Sequence, residues 1–296
     1  MRRFKIVKNI LFAASILFVL SFGFTASAAT AGEVVTFNID KNFDSQGRSQ
    51  IQAVLVKVTA SLYFYVEKSW WDSQPAVKVN EIYANFDALS SEYAGKIHPV
   101  LTATYGQEWN PGVDNDSHLT ILFHSMKEGA GGYFRSADEY VKLQISDSNE
   151  REMIYVAHNN ANNPWLKMIV AHEFVHIITF NQKDRLRGIQ EEVWLNEGRA
   201  DYSSTILGYD NNYEGSNIQR RVRDFLQNPG TSLTEWQDSK YDYAITNVFM
   251  NYLVDHYGVS ILADSLKSKL IGIQSINEAL IRNGVGQTFG DIFNNW

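Results

Sequence analysis

The pattern of apolar and polar positions changes character near residue 160. Upstream, Val34-Val35-Thr36-Phe37-Asn38-Ile39 and Leu119-Thr120-Ile121-Leu122-Phe123 are alternating or continuous runs of β-formers and predict strands. Ile51 to Val66 carries two signals: Val54, Val56, Val58, Leu62 and Phe64 favour strand, while its length suits a helix. Over Asn80 to Tyr105, Ile82, Phe86, Leu89, Tyr93 and Ile97 recur at three- and four-residue steps, the period of an amphipathic helix. Glu128 to Phe134 reads as a glycine-rich loop turning into a strand, and Met153-Ile154-Tyr155-Val156 as a short buried strand.

Downstream the period is helical. Asn162-Asn163-Pro164 offers a cap and a first-turn proline for a helix through about Phe180. Further helical patterns cover Glu191 to Leu207, Ile218 to Leu226, Ala244 to His256 and Ser260 to Leu270, with Gly258 as a terminator. Strands first and helices afterwards predict an α+β fold. Its β-rich lobe would take residues 29–160 and a mostly helical lobe residues 161–296. Neither repeats nor a low-complexity linker interrupt the chain.

The beginning of the chain modifies this picture. Arg2, Arg3, Lys5 and Lys8 precede an almost wholly apolar stretch from Ile10 to Thr25, and Ala26-Ser27-Ala28 follows. That order predicts a signal peptide over residues 1–28, with cleavage after Ala31 as the alternative. The apolar stretch is shorter than the roughly 20 residues of a spanning helix. The expected product is secreted, extracellular and free of the membrane. It would hold 22 basic and 33 acidic residues, a formal charge of −11, which argues against a nucleic-acid partner. Cysteine is absent, so thiolate ligands and disulfides are excluded and any metal must sit on His, Asp or Glu.

The candidate chemistry lies in His172-Glu173-Phe174-Val175-His176. Two histidines four apart on a helix project from one face and can hold one zinc ion; Glu173 beside them can take a proton from an activated water. The helix is otherwise apolar, so two imidazoles and a carboxylate would be costly there without a metal or partners. A third histidine in the metzincin spacing is absent, since Thr179 and Gln182 stand where Gly and His are required. Glu197, in Trp194-Leu195-Asn196-Glu197-Gly198-Arg199-Ala200-Asp201-Tyr202, is the expected third ligand. Glu191 and Glu192 stand in a polar stretch and read as solvated. Asp201, one turn beyond Glu197, is a candidate acceptor for the distal nitrogen of a ligand histidine.

These elements resemble the gluzincin superfamily of zinc peptidases, and within it the hyicolysin-type neutral metallopeptidases of bacteria. Gly131-Gly132-Tyr133-Phe134, Ser148 to Val156 and the zinc helix carry the closer likeness, which covers about residues 110 to 260. It implies a zincin-like fold: a mixed sheet whose edge strand binds an extended peptide, and helices that hold the metal. Met153 to Val156 is the candidate substrate-pairing strand. Aminopeptidase-type gluzincins carry a tyrosine at the start of a helix that ends in glycine, and Tyr243 stands in that place before Gly258. Tyr243 is therefore the implied oxyanion partner, with Tyr241 and His256 as alternatives. The GxMEN motif of those aminopeptidases is missing, which favours an endopeptidase of protein or peptide substrates. An exopeptidase, or a secreted zinc-binding protein without activity, are the rival readings.

Weaker features complete the sequence. Asp114-Asn115-Asp116 offers oxygens for calcium, though a hydrogen-bonded turn is the simpler expectation. His98, His118, His124 and His158 lack ligand spacing and read as structural, and Trp70-Trp71 reads as lobe packing.

Overall fold

Six runs of β-branched and aromatic residues build one mixed sheet: β1 Val34–Asn38, β2 Gln50–Val58, β3 Leu62–Glu67, β4 Leu119–His124, β5 Gly132–Phe134 and β6 Met153–Ala157. The computed structural model describes residues 29–296, and the expected leader over 1–28 lies outside the described residues. The strand order is β1-β2-β3-β4-β6-β5. The first three strands and the β6–β5 pair are antiparallel, whereas β3–β4 and β4–β6 are parallel. The two-sided signal over Ile51 to Val66 is thus a hairpin. Its turn is closed by Thr59, whose N–H donates to the Leu62 carbonyl (3.0 Å) and whose Oγ1 accepts from the Leu62 N–H (3.1 Å).

Strands β3, β4 and β6 are buried along their whole length, as strands covered on both faces are. Side chains alternate between two cores. Leu62, Phe64, Val66, Ile121, Phe123, Ile154 and Val156 join the helices on one face. Tyr63, Tyr65, Leu122, Met153 and Tyr155 meet Phe37 and Ile51 on the other.

The helices are α1 Lys68–Asp72, α2 Ala76–Glu92, α3 His98–Tyr105, α4 Leu166–Thr179, α5 Val193–Ile206, α6 Asn217–Gln227, α7 Lys240–Tyr257, α8 Ser260–Leu266, α9 Gly272–Arg282 and α10 Phe289–Asn295. The α+β architecture expected from the pattern, zincin-like as the resemblance implies, is the one observed. Wider π turns join α2 to α3 (Tyr93–Ile97) and extend α4 (Phe180–Arg185). Helix α4 begins at Leu166 rather than at Pro164, because Asn163 spends its side chain on the Trp165 N–H in a tight turn (3.0 Å). Helices α9 and α10 lie beyond the predicted ones. The start of α10 is nevertheless written in the chain as a capping box between Thr288 and Asp291.

Helix α4 packs against β5, β6, α2, α3 and α5. That is why it is apolar nearly all round; each buried Phe, Val or Ile contributes roughly 1.5–3 kcal/mol. Trp70 stacks on His158 (centroids 4.7 Å apart) and Trp71 meets Tyr83 edge-on, both against the larger core. Asp114 to Asp116 forms a hydrogen-bonded turn in which the Asp116 carboxylate is taken up by His118 and the Tyr63 hydroxyl (2.8 Å). Among the described residues no helix is long and apolar enough to cross a membrane.

Candidate metal centre

Helix α4 presents His172 and His176 on one face, and α5 runs against it carrying Glu197. One ligand atom from each of these three residues lies within 4.8 Å of the other two, the only such trio among the described residues. His172 Nε2 is 3.2 Å from Glu197 Oε2 and His176 Nε2 is 3.5 Å from Glu197 Oε1. A tetrahedral zinc with bonds near 2.0–2.1 Å separates its ligand atoms by about 3.4 Å. The donor set and its spacing therefore fit zinc. The close approach of α5 to α7 depends on Gly198, where a Cβ would meet Thr246 Cγ2 at 2.7 Å and Met250 Cε at 2.8 Å.

The surroundings orient the candidate ligands. His176 Nδ1–H donates to Asn196 Oδ1 (3.1 Å), which leaves Nε2 as the lone-pair donor. This role of Asn196 was missed in the sequence, although the residue immediately precedes Glu197. Asp201, the expected partner of a ligand histidine, instead accepts from Arg221 Nε and Nη2 (2.8 and 2.7 Å) and from Asn217 (3.2 Å). It reaches His172 only as a nearby charge. Burial works against a charged His172, but the hydrogen bond to Glu197 and the carboxylates of Glu173 and Glu197 raise it to about 9. Burial would likewise raise Glu197, yet the adjacent His176 and His172 hold it below its ordinary value.

A cavity of about 810 Å³ opens on this centre, and His172, Glu173, Gly132, Trp165, Arg221 and Tyr243 are among its walls. Glu173 is buried there, and that burial, reinforced by Glu197 and opposed by His172, pushes its carboxyl up to about 8. Tyr243, on the first turn of α7, has its ring against Trp236 (4.8 Å) and under the Arg221 guanidinium (4.8 Å). Burial, then the charges of Glu197, Asp238 and Glu173, raise its phenol, so it stays a neutral donor. The alternatives stand apart. Tyr241 lies beneath Lys240 and does not line the cavity, while the exposed His256 is tied to the Tyr252 carbonyl (2.8 Å).

Two further expectations are corrected. Met153 to Val156 cannot pair with a substrate, because β6 is already paired with β4 and β5. The edge strand on the side of the centre is β5. Ala157 N–H donates to the Gly131 carbonyl (3.0 Å), so by antiparallel alternation Gly132 and Phe134 turn their main-chain groups outward. Gly132 lies against the centre: a Cβ there would come within 2.7 Å of the Tyr155 carbonyl oxygen and 3.1 Å of Glu173 Oε1.

Glu191 is the second correction, since its side chain is 1% exposed rather than solvated. It accepts from Arg199 (2.8 Å) and the Gly272 N–H (2.7 Å) and lies 3.4 Å from Lys183. Lys183 also donates to the Ser268 and Leu270 carbonyls. The two cations, from the π turn and α5, explain why an acid in a polar stretch is buried. Glu192 is exposed and accepts from the Trp194 indole (2.6 Å).

No family model matches the chain. Over 190 residues, 56% of this chain, it is 26% identical to the neutral metalloprotease ShpI of Staphylococcus hyicus. The chain covers 41% of the length of that relative. The likeness supports a metallopeptidase family at that level of detail.

Proposed function

We propose that the chain is an exported zinc-dependent endopeptidase of protein or peptide substrates, of the gluzincin kind. The observation that carries the reading is the trio of His172, His176 and Glu197 at zinc spacing, on the wall of a cavity that also holds Glu173 and Tyr243. In this reading the β-rich lobe (29–160) offers the free edge of β5 to an extended substrate backbone, and the helical lobe (161–296) carries the ligands. The 26% likeness to a neutral metalloprotease supports the same class.

When bound, zinc supplies a Lewis acid that polarises the scissile carbonyl and lowers the pKa of a coordinated water to about 7. The chain's own residues do the rest. Glu173 accepts the proton of the attacking water and returns it to the leaving amine. The Tyr243 hydroxyl donates a hydrogen bond to the oxygen that gains charge in the transition state. Asn196 holds His176 in the tautomer that ligates.

Glu173→Gln keeps the size of the side chain and removes its basicity. Casein or peptide-library cleavage should fall by about a thousandfold or more, with zinc by metal analysis still near one per chain. Chelation should silence the unmodified protein and zinc should restore it. Cleavage by Glu173→Gln at the unmodified rate sinks this mechanism.

A further inference from the structure

Where α6 and the start of α7 wall the cavity stand the cations Arg220, Arg221 and Lys240. Two of them are already occupied. Arg221 is paired with Asp201 (2.7 Å), and Lys240 is held by Asp224 (3.4 Å) and Gln227 (2.9 Å). Arg220 forms no ion pair with any aspartate or glutamate among the described residues. Its Nη2 donates to the neutral Asn217 Oδ1 (2.7 Å), and its guanidinium lies over the Trp165 ring (5.7 Å to the centroid).

We propose that Arg220, laid over Trp165, is a specificity-determining residue that binds a carboxylate of the substrate on the carboxyl-terminal side of the scissile bond. The proposal rests on the endopeptidase reading above.

The side follows from the packing of β5 on α4. A Cβ at Gly131 would meet Ile169 Cδ1 at 3.7 Å, one at Gly132 would come within 3.1 Å of Glu173 Oε1, and the Phe134 ring meets Phe180 (6.2 Å between centroids). Strand and helix therefore run the same way. A peptide added antiparallel to β5, the better-bonded arrangement, runs the opposite way. Its carboxyl-terminal part is carried towards the start of α4. Trp165 stands there, in helical conformation just before Leu166. At a rise of about 1.5 Å per residue, positions 165 and 172 are about 10 Å apart along the axis. Helical side chains lean towards the helix start, which shortens the gap to the centre. At about 3.3 Å per residue of extended chain, Arg220 faces the second or third residue beyond the bond.

Charge chooses the ligand. With one hydrogen bond made, the guanidinium keeps most of its N–H donors free, and their fork matches a carboxylate. A carboxylate is the anion that a peptide carries, on Asp, on Glu or at its end. The Trp165 ring beneath restricts the guanidinium, so less freedom is lost on binding. Close to the bond the sign reverses, because Glu173 and Glu197 repel a negative side chain there. The preference is thus confined to the Arg220 end of the cleft.

The test compares fluorescent peptides blocked as carboxyl-terminal amides, with Glu or Gln at the first, second or third residue past the cleaved bond, which mass spectrometry locates. A second series carries neutral side chains and a free terminal carboxylate at the same places. For the zinc-loaded chain, a carboxylate at the second or third place should raise kcat/KM about tenfold to a hundredfold, through KM. An effect in the amide series assigns the carboxylate to an acidic side chain, and one confined to the second series assigns it to the peptide's end. Arg220→Gln should bring the ratio of charged to neutral peptide near one, and Arg220→Glu should favour Lys over Glu at that place. Arg220 is exposed, so neither substitution threatens the fold. Binding of the same peptides to the zinc-loaded Glu173→Gln chain, by fluorescence anisotropy, reads the same ratios without turnover. A ratio that survives Arg220→Gln, or no carboxylate preference at these places, overturns the proposal. If no peptide is cleaved the endopeptidase reading fails, and the binding ratios still decide on Arg220.

Discussion

Glu191 and Glu197 leave the same stretch of chain six residues apart and stand in opposite surroundings. Glu191 is sealed between Lys183 and Arg199, cations that no pH near neutrality removes entirely, and its remaining oxygen is taken by a main-chain amide. Glu197 faces two imidazoles, which can lose their protons and become ligands, and it borders a cavity. The contrast teaches what separates a structural carboxylate from a chemical one. Burial is common to both. What differs is whether the counter-charges are permanent and whether one side is left open.

The largest expected effect comes from emptying the sealed side. Glu191→Ala would leave Lys183 and Arg199 buried without a counter-charge, at a cost of about 3–5 kcal/mol in urea unfolding. Zinc content of the folded fraction should stay near one per chain. Loss of zinc with unchanged stability would erase the contrast.

The sheet lobe offers a second sealed group. His124 is fully buried, and burial, opposed by Asp44 and Glu67, holds its imidazole down at about 4. The unfolded value is about 6.5. Between these values the unfolded chain binds a proton that the folded chain does not, so the contribution is present above pH 6.5. It is lost as pH falls towards 4, by roughly 3 kcal/mol over that window. Unfolding free energies measured at pH 7 and pH 4.5 should show this slope, and His124→Gln should flatten it. An unchanged slope in the variant counts against a titrating His124.

On the open side the expected effect is smallest in energy and most specific in kind. Tyr243→Phe should lower kcat by about a hundredfold, as loss of one oxyanion donor does, leaving KM, stability and zinc content near their original values. Tyr241→Phe should change none of them. If the two substitutions behave alike, Tyr243 is a packing residue.

Much of the candidate centre was legible because its signals are local. His172 and His176 share a helix face by period alone, and Glu173 is their covalent neighbour. The apolar run around them marks the helix as buried. Glu197 required one further step, a loop that brings a second helix back. Beyond that, legibility fell. Asn196 and Asp201 both lie within a turn of Glu197, but which of them meets a ligand depends on the rotation of α5, fixed by Gly198 against Thr246 and Met250. Glu191 looked solvated because its cations come from elsewhere in the chain.

The sequence by itself determined the α+β succession, the candidate ligand pair with a carboxylate beside it, the exclusion of thiolate chemistry and the helix stop at Gly258, because each follows from spacing, composition or backbone freedom within a few residues. Tertiary structure alone decided that β5 rather than β6 is a free edge, that Asp201 serves Arg221, and that Lys183 and Arg199 enclose Glu191. Strand order and the pairing of distant charges are products of global packing, which burial and Coulomb energy select among partners far apart in the chain.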